Sequence, residues 1–427
     1  MSEPQSTEAQ ASGRGHFLGM RLPAPGLPWP HIVGGLIGVV LALALRYTLI
    51  DFKSVDYYSS LKPWYLALHS QGFSAFATDF SNYNPPYLYL LYVVVRFLPD
   101  VPMVVALKLP AIAADFACAL LVYLLVRLKY PDRSGIPLLA GGALLFAPTI
   151  VLNSSFWGQA DSLLALGILG TVYFLARGRP GRAMLLYGIA IAFKLQAVFL
   201  APVILALALR RLVPWKTLLI IPIVLLAALV PAWVAGRPLL DLLGVYASQA
   251  SQYEYITMNA FSAYAWLPGS KQVFNLFLLP AILMGAAVSL GLCYVVYKGH
   301  QKMTIPLIIE VSLLAMILVP FFLPKMHERY FYAADVLSIV LAFFSPGLFW
   351  VPIVMVGSSF LSYQPFLFER DLVPLPVLTL AILTLVVLLT RDTLRQMFSS
   401  EAVADIDQPE ATSDGSAQVI DDAGALP

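Results

Sequence analysis

Asn153-Ser-Ser-Phe-Trp-Gly-Gln-Ala-Asp161 is a polar break between two apolar runs, 136–152 and 162–176. A second such cluster, Lys325-Met-His-Glu-Arg329, follows the apolar run 304–323. Each stands at the end of a segment close to the ~20 apolar residues that a spanning helix needs. Polar and ionisable groups at a membrane boundary are costly unless they are solvated or put to use, so both clusters are site candidates. With Asp56-Tyr57 just after the first apolar run, they point to one active centre built on one side of a bilayer.

The composition supports the membrane reading. Of 427 residues, 59% are hydrophobic and only 12% charged, against roughly 25% charged in a soluble domain. The expected fold class is therefore an all-α polytopic membrane protein. Spans of ~20 residues leave room for about twelve transmembrane helices, with interfacial helices in the first outer loop. A net charge of +2 argues against a nucleic-acid partner. Cys118 and Cys293 stand alone inside apolar segments and imply no disulfide framework.

Apolar runs fall near 31–50, 103–126, 136–152, 162–176, 183–210, 216–234, 273–297, 304–323, 330–345, 348–361 and 374–390. The run 183–210 is too long for one span and is interrupted by Lys194, Gln196 and Pro202, so it reads as two short helices meeting near Gln196. The stretch 86–98 gives only ~20 Å of helix and is expected to lie along or dip into the interface. Basic residues fix the orientation. With the N-terminus in the cytoplasm, fifteen fall inside (Arg14, Arg21, Arg127, Lys129, Arg133, Arg177, Arg179, Arg182, Arg210, Arg211, Lys216, Lys298, Lys302, Arg391, Arg395). Eight fall outside (Lys53, Lys62, Arg96, Arg237, Lys271, Lys325, Arg329, Arg370). The chain then lies in the cytoplasmic (inner) membrane with both termini inside, and the unusual polar residues gather on the outer rim. Residues 1–30 are Ser/Gly/Pro-rich, and the acidic tail 396–427 has no Lys or Arg; both are expected to be disordered and cytoplasmic.

The rim residues suit sugar and phosphate chemistry. Asp56 can act as a general base towards a hydroxyl or ligate a divalent cation. Trp64, Tyr65 and Leu68 have helical spacing and read as an interfacial helix. Asp79 precedes Asn82-Tyr-Asn-Pro-Pro-Tyr87, where the Pro pair forces an elbow and starts a helix. Trp157 can stack on a sugar face while Gln159 and Asp161 hydrogen-bond it; an aromatic belt and a helix cap are the bland alternatives. Lys194 either binds an anion or pairs with an acid such as Asp161. Arg329 and His327 suit a phosphate. Neither a His-Glu-x-x-His metal motif nor a Walker-type loop occurs, so a nucleotide donor is disfavoured.

The ordered set of Asp56-Tyr57, residues 82–87, Lys108 with Asp115, residues 153–162, Phe193-Lys-Leu-Gln196 and Lys325-Met-His-Glu-Arg-Tyr330 resembles the GT-C superfamily of membrane glycosyltransferases. It is most similar to bacterial relatives of the second mannosyltransferase of GPI-anchor assembly. The resemblance spans roughly residues 30–335. It implies a polyprenyl-phosphate-linked sugar as donor, an acceptor that is a lipid, glycan or protein, and membrane lipids as surroundings. It divides the chain into a GT-C module, 31–235, with its first outer loop at 51–102. A variable module follows, 236–395, with outer loops at 236–272 and 324–330. The family's catalytic Asp falls on Asp56, and its His-Glu pair near the donor phosphate falls on His327 and Glu328, joined there by Lys194 and Arg329. Tyr57, Asp79, Asn82, Tyr83, Trp157, Gln159, Asp161 and Gln196 are the expected sugar- and acceptor-binding residues. Family members often carry an acid just before the Pro-Pro elbow, where this chain has Asn82 and Asn84. No cofactor or metal site is expected, with a divalent cation on Asp56 left open. Inverting hexose transfer, mannose first, is the implied reaction. The competing class is a lipid or solute transporter, for which internal repeats and polar residues at the midplane would speak.

Overall fold

The computed structural model describes residues 28–251 and 254–399. Most of the two segments expected to be disordered lies outside these residues, although the last helix runs on to Phe398. In chain order the first half comprises α1 (Trp29–Leu49), α2 (Lys62–Gln71), α3 (Pro85–Phe97), α4 (Met103–Lys129), α5 (Gly135–Leu145), α6 (Pro148–Val151), α7 (Asp161–Ala176), α8 (Pro180–Phe193) and α9 (Ala201–Leu209). The second half comprises α10 (Trp215–Leu218), α11 (Ile220–Val234), α12 (Leu239–Ser251), α13 (Lys271–Lys298), α14 (Ile305–Phe322), α15 (Tyr332–Phe344), α16 (Trp350–Phe368) and α17 (Leu375–Phe398). The sole sheet among the described residues is one parallel pair, β1 (Thr257–Met258) with β2 (Met326–His327).

Among the described residues seven helices are long and apolar enough to cross a membrane: α1, α4, α10 with α11, α13, α14, α16 with its preceding turn, and α17. The pair formed by α5 and the segment Pro148–Trp157, bent by 52°, makes an eighth. Helix length alone thus carries seven or eight crossings rather than twelve. The other apolar sequence sits in shorter helices, Asp161–Ala176, Pro180–Phe193 and Leu195–Leu209. Short helices survive in a bilayer where neighbouring protein covers their ends, and α7 is buried along nearly all its length. Gly167 makes this packing possible: a Cβ there would come 2.6 Å from Cβ of Ala190 on α8. The break in the run 183–210 falls at Lys194, between α8 and the 3₁₀ turn Leu195–Leu200.

Pro85 and Pro86 open α3, a 13-residue helix too short to span. It packs on α2, and the two form a second core with α4. The Trp64, Tyr65 and Leu68 side chains are buried within this second core. Their helical spacing reflects a protein-facing stripe, which fills the space beneath α3.

Candidate active site

Two turns set the centre of the site. The helical turn Tyr57–Leu61 opens at Asp56, and the π turn Leu152–Trp157 ends at Gly158, whose φ of 85° is a left-handed conformation that glycine adopts without strain. Trp157 Nε1 and Gln159 Nε2 both donate to Asp56 Oδ2, at 2.8 and 2.7 Å. Arg329 Nη1 reaches the same oxygen at 3.4 Å. Tyr83 donates its hydroxyl to Gln159 Oε1 at 3.1 Å. The Trp157 indole is itself wedged, stacked on Phe366 at 4.8 Å and covered by the Arg329 guanidinium at 5.6 Å. Asp56, Tyr83, Trp157, Gln159 and Arg329 therefore form one constellation drawn from four distant stretches of chain. The Asp56 side chain is still 28% exposed, enough for a ligand hydroxyl to reach it.

Beside this lies a buried ion pair. Lys194 Nζ donates to Asp161 Oδ1 at 2.5 Å, and Asn153 Nδ2 donates to Oδ2 at 2.8 Å. Of the two readings open for Lys194, the acid pair is the one formed. Burial alone would lower the Arg329 guanidinium pKa, but the neighbouring Tyr83, Asp161, Tyr330 and Asp56 hold it raised, so the group stays charged.

Lys194, Gln196, Lys325, Arg329 and Tyr330 stand at one end of a cavity of about 810 Å³, together with Asn82 and Tyr83. The rest of its lining is mostly apolar and includes Val198, Pro202 and Leu205 together with Leu278, Ile282 and Leu290 of α13. The β1–β2 pairing, Thr257 with Met326 and Met258 with His327, pins the 325–328 loop at the rim. His327 Nδ1 lies 3.8 Å from Glu328 Oε2, and Glu328 is buried. Neither lines the cavity. Tyr57 is also turned away from it, buried with its hydroxyl 3.6 Å from Met103 Sδ. Asp79 sits apart from Asp56, bound by Arg237 Nη2 at 2.6 Å.

Asp56 is surrounded by N–H donors and a guanidinium, the opposite of the oxygen-rich setting of a hard cation. Among the described residues no three His, Cys, Asp or Glu side chains gather to hold a metal. The donor set does not fit a metal.

Three supporting residues were not singled out as site candidates. Lys108 spends its ammonium on three main-chain carbonyls, Ile50 and Phe52 at 2.7 Å and Phe156 at 2.9 Å. Arg46 Nη2 meets Asp115 Oδ2 at 2.8 Å, and Asp115 also accepts from Ser154 at 2.6 Å. The first holds the stretch before Asp56 against the π turn; the second ties α1 and α4 to that turn. Charges inside membrane-length apolar runs were the available signal.

An all-helical membrane fold, with a largely apolar cavity that Lys194, Lys325 and Arg329 help to line, agrees with the GT-C architecture that the sequence resemblance implies. The sequence profile of glycosyltransferase family 87 matches residues 82–320, and the chain belongs to that family. Among solved structures it is similar to ArnT from Cupriavidus metallidurans bound to undecaprenyl phosphate, with a TM-score of 0.50 and 15% identity over 84% of this chain and 77% of that one. No curated protein matches it. The protein is thus a multi-pass membrane glycosyltransferase, and the transporter reading falls away.

Proposed function

We propose that this chain transfers a hexose from a polyprenyl-phosphate donor to an acceptor hydroxyl on the outer face of the membrane, with inversion. The observation that carries the reading is the cavity itself, an apolar trough that ends in Lys194, Lys325 and Arg329 next to Asp56. From Leu278 to Cys293 the α13 wall runs ~22 Å at 1.5 Å per residue. That length suits several isoprene units, while the cationic end suits a phosphate. A solved structure of similar fold was determined with undecaprenyl phosphate bound, which supports the same donor class here. Mannose is the hexose favoured by the sequence resemblance to GPI-type mannosyltransferases.

In this reading Asp56 takes the proton of the acceptor hydroxyl as its oxygen attacks the anomeric carbon and the lipid phosphate departs from the opposite face. Among the described residues every bond to the carboxylate is made to Oδ2, which leaves Oδ1 for that proton. Arg329 and Lys325 stabilise the charge growing on the phosphate, and such preorganised charge is usually the largest catalytic contribution. Asp161 engages one of the three Lys194 protons, and the ammonium has two more to donate to the donor. His327 and Glu328 shape the rim rather than the trough. The outer-face placement rests on the asymmetry of basic residues.

The test is direct. Purified protein in nanodiscs is given radiolabelled polyprenyl-phosphate mannose, glucose or arabinose with extracted membrane lipids and glycans. Transfer from a polyprenyl-phosphate sugar is expected. Transfer only from a nucleotide sugar would overturn the reading.

A further inference from the structure

A second cavity, of about 710 Å³, lies between the first outer loop and α12. It touches the apolar trough at Asn82, which lines both. Ser59 and Ser60, on the turn that opens at Asp56, form part of its wall. The two cavities, of opposite character, share Asn82; Arg329 of the trough lies 3.4 Å from Asp56, and Ser59 and Ser60 of the second cavity follow Asp56 in the same turn. Unlike the trough, this one is lined mainly by polar groups: serine hydroxyls, Asp79, Asn82, Arg237 and Asp241.

Its charge is informative. Two carboxylates, Asp79 and Asp241, face a single guanidinium, and that guanidinium is already committed to Asp79 at 2.6 Å. A phosphorylated or carboxylated ligand would meet net negative charge with no spare cation among the described lining residues. An acyl chain would have to strip water from hydroxyls and carboxylates without replacing those bonds. A neutral polyol loses nothing, because its hydroxyls both donate to carboxylates and accept from serine and asparagine.

We propose that this cavity seats the acceptor, and that the acceptor's reactive end is a neutral saccharide. The inference rests on the donor reading above. It places the attacking hydroxyl on the outer-loop side of Asp56 and the departing phosphate on the trough side.

Gly244 offers a clean probe. It lines the cavity, and a Cβ added there meets nothing within 4 Å, so a side chain can be added at the cavity wall without a clash at its first carbon. Wild type, Gly244→Trp and Asp241→Lys are compared for binding of undecaprenyl phosphate. Each is then assayed with polyprenyl-phosphate mannose on octyl hexosides, octyl uronides, octyl hexoside phosphates and a Ser/Thr peptide. Wild type should use the neutral hexosides. Gly244→Trp should raise the acceptor KM at least tenfold while lipid-phosphate binding stays within twofold, and Asp241→Lys should shift preference towards the acidic glycosides. A wild type that prefers the acidic glycosides or the peptide overturns the proposal. So does a Gly244→Trp variant that binds the lipid phosphate and keeps the wild-type acceptor KM. A wild type that does not bind the lipid phosphate overturns the donor reading first, and this one with it.

Discussion

The indole nitrogen of Trp157 donates to Asp56 Oδ2 at 2.8 Å, joining residues 101 positions apart. Removing that donor while keeping an aromatic ring tests whether the carboxylate must be held. Hydrogen bonds to charged groups contribute about 1.5–3 kcal/mol. Trp157→Phe should therefore lower kcat by roughly 10- to 100-fold, with donor KM less affected. Steady-state kinetics at saturating donor provide the check, and an unchanged kcat would remove Trp157 from the working site.

Asp56→Asn keeps size and polarity but cannot accept a proton at neutral pH. Loss of a general base costs roughly 100- to 10,000-fold. Asp51→Asn, at an exposed position, should cost far less. Activity should persist in EDTA, because the carboxylate is held by N–H donors. If EDTA abolishes turnover and Mn²⁺ restores it, Asp56 must be reassigned as a metal ligand.

The donor end of the trough is tested separately. Arg329→Ala should weaken binding of undecaprenyl phosphate by tenfold or more, since charge-assisted contacts to phosphate are strong. His327→Ala, at the rim and outside the lining, should weaken it less. Equal effects from the two, read by quenching of tryptophan fluorescence on lipid-phosphate titration, would place His327 in the phosphate site as well.

Lys194 and Asp161 stabilise each other where little water reaches. Breaking a buried pair by removing one partner typically costs about 3–5 kcal/mol. Lys194→Met should thus lower the melting temperature in detergent markedly, and adding Asp161→Asn should recover part of the loss. A single variant as stable as wild type would mean the pair is solvated in the membrane-bound protein.

Topology has its own test. In a background with Cys118 and Cys293 replaced by Ala, a membrane-impermeant thiol probe applied to intact cells should label Ser74→Cys and not Asp132→Cys. Both positions are exposed. Labelling at 132 alone would turn the site to the cytoplasmic side.

Much of this architecture is legible in the sequence because polar residues are so costly in apolar surroundings. Lys194 marks the break between α8 and the next turn for that reason, and Pro85-Pro86 marks the start of α3. The convergence of Asp56 with Trp157, Gln159 and Arg329 is legible only as three clusters on one rim. No local pattern says which of Asp56, Asp79 and Asp161 receives which donor. The three end differently, on Trp157 and Gln159, on Arg237, and on Lys194. That Trp64 and Tyr65 pack into a protein core is not legible in their spacing, because the partners come from α3 and α4. Helix length accounts for seven or eight of the roughly twelve expected spans, because apolar composition does not reveal where protein, rather than lipid, covers a short helix.

Lys108 reads the backbone and not the side chains around it: its three partners are the carbonyl oxygens of Ile50, Phe52 and Phe156. Positions 50, 52 and 156 can therefore drift to other residues without loosening the clasp, provided the replacements keep the same main-chain path. Position 108 has no such latitude, since a shorter or uncharged side chain would leave three carbonyls, one of them fully buried, without their shared donor. In this enzyme, tolerance to mutation is distributed unevenly across a single contact, with one residue carrying the constraint for three.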